Sequence, residues 1–177
     1  MFGVVSNSFG KDRKIGIRAG YQVSNMYFDN KSMSNALGSF YVGGFLQHKM
    51  LPLLHFEYGA EFLQNGYAAD NDNKLVLSYI SVPVDFKVKL GPFFALAGAA
   101  ANIKLSEKQT LLGIDMDPVE KANGFDVPIF AGLGFKISIF HIEARYSWGT
   151  MALYGDGSSA INPYKSQYFQ IGLGISL

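Results

Sequence analysis

The sequence predicts an all-β fold, an eight-stranded antiparallel up-and-down transmembrane β-barrel. The first observation is strict alternation, clearest in 166–177 (SQYFQIGLGISL). There Phe169, Ile171, Leu173, Ile175 and Leu177 share one face, and Tyr168, Gln170, Gly172, Gly174 and Ser176 the other. A helix would scatter those apolar residues, and its two internal glycines would each cost roughly 1 kcal/mol relative to alanine. The second is composition: charged residues are 16% of the chain, against about 25% in ordinary soluble domains. Aromatics reach 15% and glycines number 20, yet no window holds the roughly 18 uninterrupted apolar residues that a spanning helix needs. Hydrophobicity spread over alternate positions is what a membrane barrel requires. The third is a regular alternation of long and short connections.

The strands follow in order. Lys14 to Ser24 sets Ile15, Ile17, Ala19, Tyr21 and Val23 against Gly16, Arg18, Gly20 and Gln22. A polar loop, 25–38, leads to 39–49, whose faces the pattern leaves open because Tyr41 and Phe45 oppose Phe40, Val42 and Leu46. A short turn at 50–52 precedes 53–65, with Leu54, Phe56, Tyr58, Ala60 and Phe62 opposite His55, Glu57, Gly59 and Glu61. The tetrad Asp70-Asn71-Asp72-Asn73 marks a loop over 66–74. Residues 75–90 form the fourth strand, with Ile80, Val82, Val84, Phe86 and Val88 opposite Tyr79, Ser81, Pro83, Asp85 and Lys87.

Gly91-Pro92 turns the chain into 93–104, alanine-rich and again open as to its faces. A charged loop, 105–123, is the longest. Residues 125–137 then place Val127, Ile129, Ala131, Leu133 and Phe135 opposite Asp126, Pro128, Phe130, Gly132, Gly134 and Lys136. A turn of a residue or two at Ser138 has the length of a two-residue hairpin. Beyond it Phe140, Ile142, Ala144, Tyr146 and Trp148 oppose His141, Glu143, Arg145 and Ser147, and the loop 149–165 leads to the last strand.

Eight such strands are long enough to cross a bilayer when tilted, and long outer loops with tight inner turns suit a bacterial outer membrane. The expected organisation is a 1–13 N-terminal tail and a single barrel domain over 14–177, with both termini periplasmic. Met1 to Lys14 is too short and polar for a secretory signal, so an export signal is expected to have been removed. Tyr27, Phe28, Tyr67, Tyr79, Tyr146, Trp148 and Tyr168 are expected to gather as an outer aromatic girdle. Pro83 and Pro128 fall inside paired strands, where each removes a ladder hydrogen bond, and local bulges are expected to absorb them.

Alternation alone leaves inside and outside unassigned. A soluble, lipocalin-like barrel would turn its polar faces to water, and such a surface should be about a quarter to a third charged. Here those faces are mostly Gly, Ser, Gln and Tyr, and their charges come in both signs: Arg18, Lys87, Lys136 and Arg145 against Glu57, Glu61, Asp85 and Glu143. These eight are the expected lumenal charge network, since burial of charge demands pairing.

The run Ser78-Tyr79-Ile80-Ser81-Val82-Pro83-Val84, with Phe56-Glu57-Tyr58, Ala144-Arg145-Tyr146 and Phe169-Gln170-Ile171-Gly172-Leu173-Gly174, resembles the PorT-like outer-membrane β-barrel family over most of the chain from Lys14 onward. The resemblance implies an outer-membrane barrel of a Gram-negative bacterium, and the family's namesake is associated with protein secretion. One departure is Leu177, where such barrels usually close on an aromatic residue.

The net charge of +1 with no basic stripe excludes nucleic acid as a partner, and the absence of cysteine excludes disulfides and thiolate metal sites. No cofactor is expected. An eight-stranded interior is just wide enough for its own side chains, so a packed salt-bridge plug is favoured over a narrow channel. His141 with Glu143, or His55 with Glu57, could join Ser81 or Ser147 in a membrane-embedded lipid hydrolase. Asp70 and Asp72, or Asp115 and Asp117, begin like a calcium loop but do not continue as one. Leu111, Leu112, Ile114 and Met116 give the 105–123 loop an apolar element that binds a partner or folds over the barrel mouth. The expected protein is a monomeric, non-enzymatic barrel embedded in outer-membrane lipid, whose loops 105–123 and 149–165 contact an envelope or extracellular protein.

Overall fold

A computed structural model describes residues 13–28, 31–32, 35–70, 73–111, 114–116, 124–150 and 165–177. Eight long strands account for most of them: β1 (Arg13–Phe28), β2 (Asn35–Lys49), β3 (Leu54–Asp70), β4 (Asn73–Leu90), β5 (Phe93–Leu111), β6 (Ile129–Ile137), β7 (Phe140–Trp148) and β8 (Lys165–Ser176). Each pairs antiparallel with its neighbour in the chain, and β8 pairs back onto β1 from Gly16 opposite Ser176 to Tyr27 opposite Lys165. The sheet is therefore closed. Closure leaves no unpaired edge, the condition a strand must meet to sit in hydrocarbon.

Exposure assigns the two faces. Ile17 and Leu173 are 64% and 67% exposed, whereas Arg18, next to Ile17, and Glu143, opposite Gly172 on the adjacent strand, are each 2% exposed. The apolar side of every strand points out and the sparse charges point in. Several strands run past what a bilayer requires. β3, β4 and β5 have 17, 18 and 19 residues, against the 9–11 or so that cross the hydrocarbon.

The ends of the elements differ from the sequence expectation in specific ways. β5 continues to Leu111, and Ile114–Met116 pairs back on Gln109–Leu111, so much of the expected 105–123 loop is an extended hairpin. The expected strand 125–137 is divided. Phe125–Asp126 pairs with Asn102 and Ile103, the ladder lapses at Val127-Pro128, and β6 begins at Ile129. Pro128 still contributes its carbonyl, which accepts from the Ala100 amide at 2.9 Å. At Pro83 no bulge forms. Pairing with β3 stops between Tyr58 opposite Val84 and Glu61 opposite Ser81 and resumes in the same register, while pairing with β5 continues through Ala100. A proline without an amide hydrogen thus costs rungs on one side only.

The two strands with open faces are resolved by aromatic side chains in the lumen. Tyr41 and Phe45 on β2, and Phe94 and Leu96 on β5, are all buried. Each ring lies over a lumenal glycine of another strand. A Cβ at Gly16 or Gly134 would overlap Phe45 or Phe94, and one at Gly172 would overlap the Tyr41 hydroxyl. The girdle needs correction as well. Tyr146 and Trp148 face outward, edge to face at 4.8 Å, but Tyr79 and Tyr168 are 3% exposed and turned into the lumen. They share strand parity with Ser81 and Gln170, so they cannot face lipid. The side chains of Tyr27, Phe28 and Tyr67 lie outside the described residues.

Candidate functional site

The charged centre of the lumen is assembled from four strands. Arg18 on β1 donates from Nη1 to Glu57 Oε1 at 2.5 Å and from Nε to Glu61 Oε1 at 2.5 Å, both acceptors standing on β3. Lys87 on β4 donates to the other Glu57 oxygen at 2.9 Å. Arg145 on β7 reaches across the barrel, its Nη2 donating to the two Glu61 oxygens at 3.0 and 3.2 Å. Glu143 sits among the three cations, 3.5 Å from Arg18, 3.4 Å from Arg145 and 3.9 Å from Lys87. Gln47 Nε2 adds a further donor to Glu57 at 2.9 Å.

Aromatic faces complete the packing around the cations. The Arg18 guanidinium lies 5.1 Å from the Phe45 ring, Lys87 Nζ 4.6 Å from Phe94, and Arg145 5.2 Å from Tyr41. Rings under desolvated cations stabilise them through the quadrupole. Deeper along the axis the filling is neutral: Gln170 Nε2 donates to Gln22 Oε1 at 2.8 Å, and Gln22 donates in turn to the Gln64 carbonyl at 2.7 Å and to Asn65.

Of the eight sequence-predicted residues, the structure gathers Arg18, Glu57, Glu61, Lys87, Glu143 and Arg145 into one connected cluster. Asp85 is buried beside it, opposite Glu57 in the β3–β4 ladder, and neither of its oxygens has a hydrogen bond. Lys136 stands apart at the mouth of the barrel, where it donates to Ser176 Oγ. The neutral members Gln22, Asn65 and Gln170 lie on the polar faces that the alternation of their strands already marks, whereas Gln47 stands on a strand whose faces the pattern leaves open.

The hydrolase arrangement does not assemble. Ser147 lies six residues from His141 on the same strand, about 20 Å away at 3.3 Å per residue. His141 Nε2 has no hydrogen-bond partner, so it is not engaged with Ser81, and it lies 3.8 Å from Glu143 Oε2. The His141 ring is packed edge-on against Phe45 and Phe94. Glu57 is occupied by Arg18, Lys87 and Gln47, while His55 Nδ1 lies 3.4 Å from the Leu53 carbonyl. Among the described residues no group of three His, Asp or Glu could hold a metal ion. The side chains of Asp70, Asp72, Asp115 and Asp117 lie outside the described residues.

A sequence model of the outer membrane protein beta-barrel domain matches residues 2–155, most of the chain. The chain belongs to that family. A search of curated proteins returned no match. Among solved structures, this outer membrane protein beta-barrel is similar to Ail, the attachment invasion locus protein of Yersinia pestis, solved in complex with the heparin analogue sucrose octasulfate. The two share 15% identity with a TM-score of 0.56, over 94% of this chain and 99% of Ail. Neisserial surface protein A is similar too, at 12% identity and a TM-score of 0.59, over 91% of this chain and 96% of that one. Identities this low speak to the fold alone. Family and fold together place the protein in the bacterial outer membrane, as a closed eight-stranded barrel.

Proposed function

We propose that the protein is a non-enzymatic, monomeric scaffold whose sealed barrel holds its long outer loops in position to bind a partner. The observation that carries this is the lumen itself: six charged side chains, each no more than 4% exposed, interlock across the axis with aromatic rings packed against them. A centre so filled leaves no path for solutes, and none of its carboxylates or His141 is hydrogen-bonded to a serine. The lumenal charge network of Arg18, Glu57, Glu61, Asp85, Lys87, Glu143 and Arg145 serves as a plug, with Lys136 outside it.

In this reading the two-residue turns at Gly91-Pro92 and Ser138-Ile139 face the periplasm with both chain ends, and the segments 112–123 and 149–164 face outward. Their partner is a protein of the envelope or the exterior. The sulfated ligand of Ail makes an anionic polysaccharide the second class to screen, and the PorT-like resemblance adds secretion machinery as a third. Single-cysteine labelling tests the orientation cleanly because the chain has no cysteine of its own. Ser158→Cys should react with an impermeant maleimide on intact cells, and Ser138→Cys only after the membrane is opened. The reverse pattern would invert the arrangement. Planar-bilayer recordings test the seal, and discrete conductance steps that change in Arg145→Ala would contradict it.

A further inference from the structure

The rim that carries the two-residue turns differs from the rest of the barrel in its charge. The strand ends there bring Lys14 (β1), Lys49 (β2), His55 (β3), Lys89 (β4) and Lys136 (β6) to the lumenal parity. No aspartate or glutamate among the described residues stands at that level; the first are Glu57, Asp85 and Glu143, deeper in the lumen. At the opposite end the signs mix, and Lys104 pairs with Glu107 at 2.7 Å.

These bases have only neutral acceptors. Lys89 Nζ donates to Gln47 Oε1 at 2.5 Å, Lys136 donates to Ser176 Oγ, and Lys14 stands opposite Gln47 in the β1–β2 ladder. None of Lys14, Lys49, Lys89 and Lys136 is ion-paired to a carboxylate among the described residues. Immediately above them Phe45, Phe94, Lys87 and His141 roof a cavity of about 10 Å³, room for about one water molecule. A group entering from this rim therefore stops at the lysines. Ammonium groups drawn together from three strands repel one another, and an anion placed between them removes that repulsion and gains charge-assisted hydrogen bonds.

We propose that this mouth is a binding site for a phosphate group, held between Lys14, Lys89 and Lys136. Phosphate fits because it offers several oxygens to donors arriving from separate strands, which a single halide does not. Its source is either a free phosphate or the headgroup of an anionic phospholipid at the rim.

The test uses the full chain in nanodiscs at low ionic strength, where screening is weak, with pyrophosphate as the titrant in calorimetry. In phosphatidylcholine discs the wild type should bind at one saturable site. The K14Q/K89Q/K136Q variant should bind at least about a hundredfold more weakly, since each lost charge-assisted bond is worth roughly tenfold or more. Its folding is checked by the shift in gel mobility on boiling; should it fail to fold, K89Q alone should weaken binding about tenfold. In discs containing phosphatidylglycerol, unchanged titration assigns the site to free phosphate. Loss of titration there, with recovery of the pyrophosphate signal in phosphatidylcholine, assigns it to the headgroup. No binding in phosphatidylcholine, equal binding by the variant, or displacement by equimolar chloride would overturn the proposal.

Discussion

Glu61 is the carboxylate on which the two sides of the barrel meet, and Glu61→Gln isolates that role with little change of shape. The residue accepts from Arg18 at 2.5 Å and from Arg145 at 3.0 and 3.2 Å, and the three side chains are 1–3% exposed. Charge-assisted hydrogen bonds contribute about 1.5–3 kcal/mol each, and removing one partner of a buried pair costs about 3–5 kcal/mol because the other charge is left uncompensated. The amide keeps one oxygen as an acceptor but turns a donor toward a guanidinium, so a loss of about 3 kcal/mol is expected. Urea unfolding in lipid vesicles, followed by tryptophan fluorescence of Trp148, measures it. In the cycle with Arg145→Met, the double variant should recover at least about 1 kcal/mol relative to the sum of the single changes. A cost below about 0.5 kcal/mol, the range of solvent-exposed pairs, would refute the claim that water is excluded from this centre.

Two further substitutions probe the walls. Gly134→Ala drives a methyl group into the Phe94 ring and the Ile142 carbonyl, so it should destabilise by about 1–3 kcal/mol; Phe94→Leu in the same chain should return part of that loss in urea titration. Ile171→Arg, at the middle of β8 on the outward face, should cost about 2–4 kcal/mol in bilayers, and indifference to lipid would show that this face does not meet hydrocarbon.

The alternation in β4, β7 and β8 was legible because their lumenal positions are largely polar or glycine. In β2 and β5 the lumen also receives Tyr41, Phe45, Phe94 and Leu96, so both faces read as apolar and periodicity had nothing to sort. The rings fit because Gly16, Gly134 and Gly172 on other strands leave room for them. No local pattern contains that, since ring and glycine are far apart in sequence. Residue type alone points Tyr79 and Tyr168 to the outer rim, whereas their parity turns them inward. The charges of the lumen could be named from the sequence, but their partners could not. Arg145 meets Glu61 across 84 residues, and Lys136, of the same parity, ends at the mouth because β6 stops one residue later. The stagger of strands around the cylinder decides which levels coincide, and that is a property of closure.

The junction of β8 with β1 is continuous from Gly16 opposite Ser176 to Tyr27 opposite Lys165, as unbroken as the β1–β2 hairpin formed by adjacent segments. Lipids have no slot through which to slip sideways between wall and interior. During assembly that junction joins the two segments farthest apart in the chain, so it cannot close before both are made. Until then the first and last ribbons each present a bare hydrogen-bonding margin, and a growing intermediate needs an escort to guard it from neighbours.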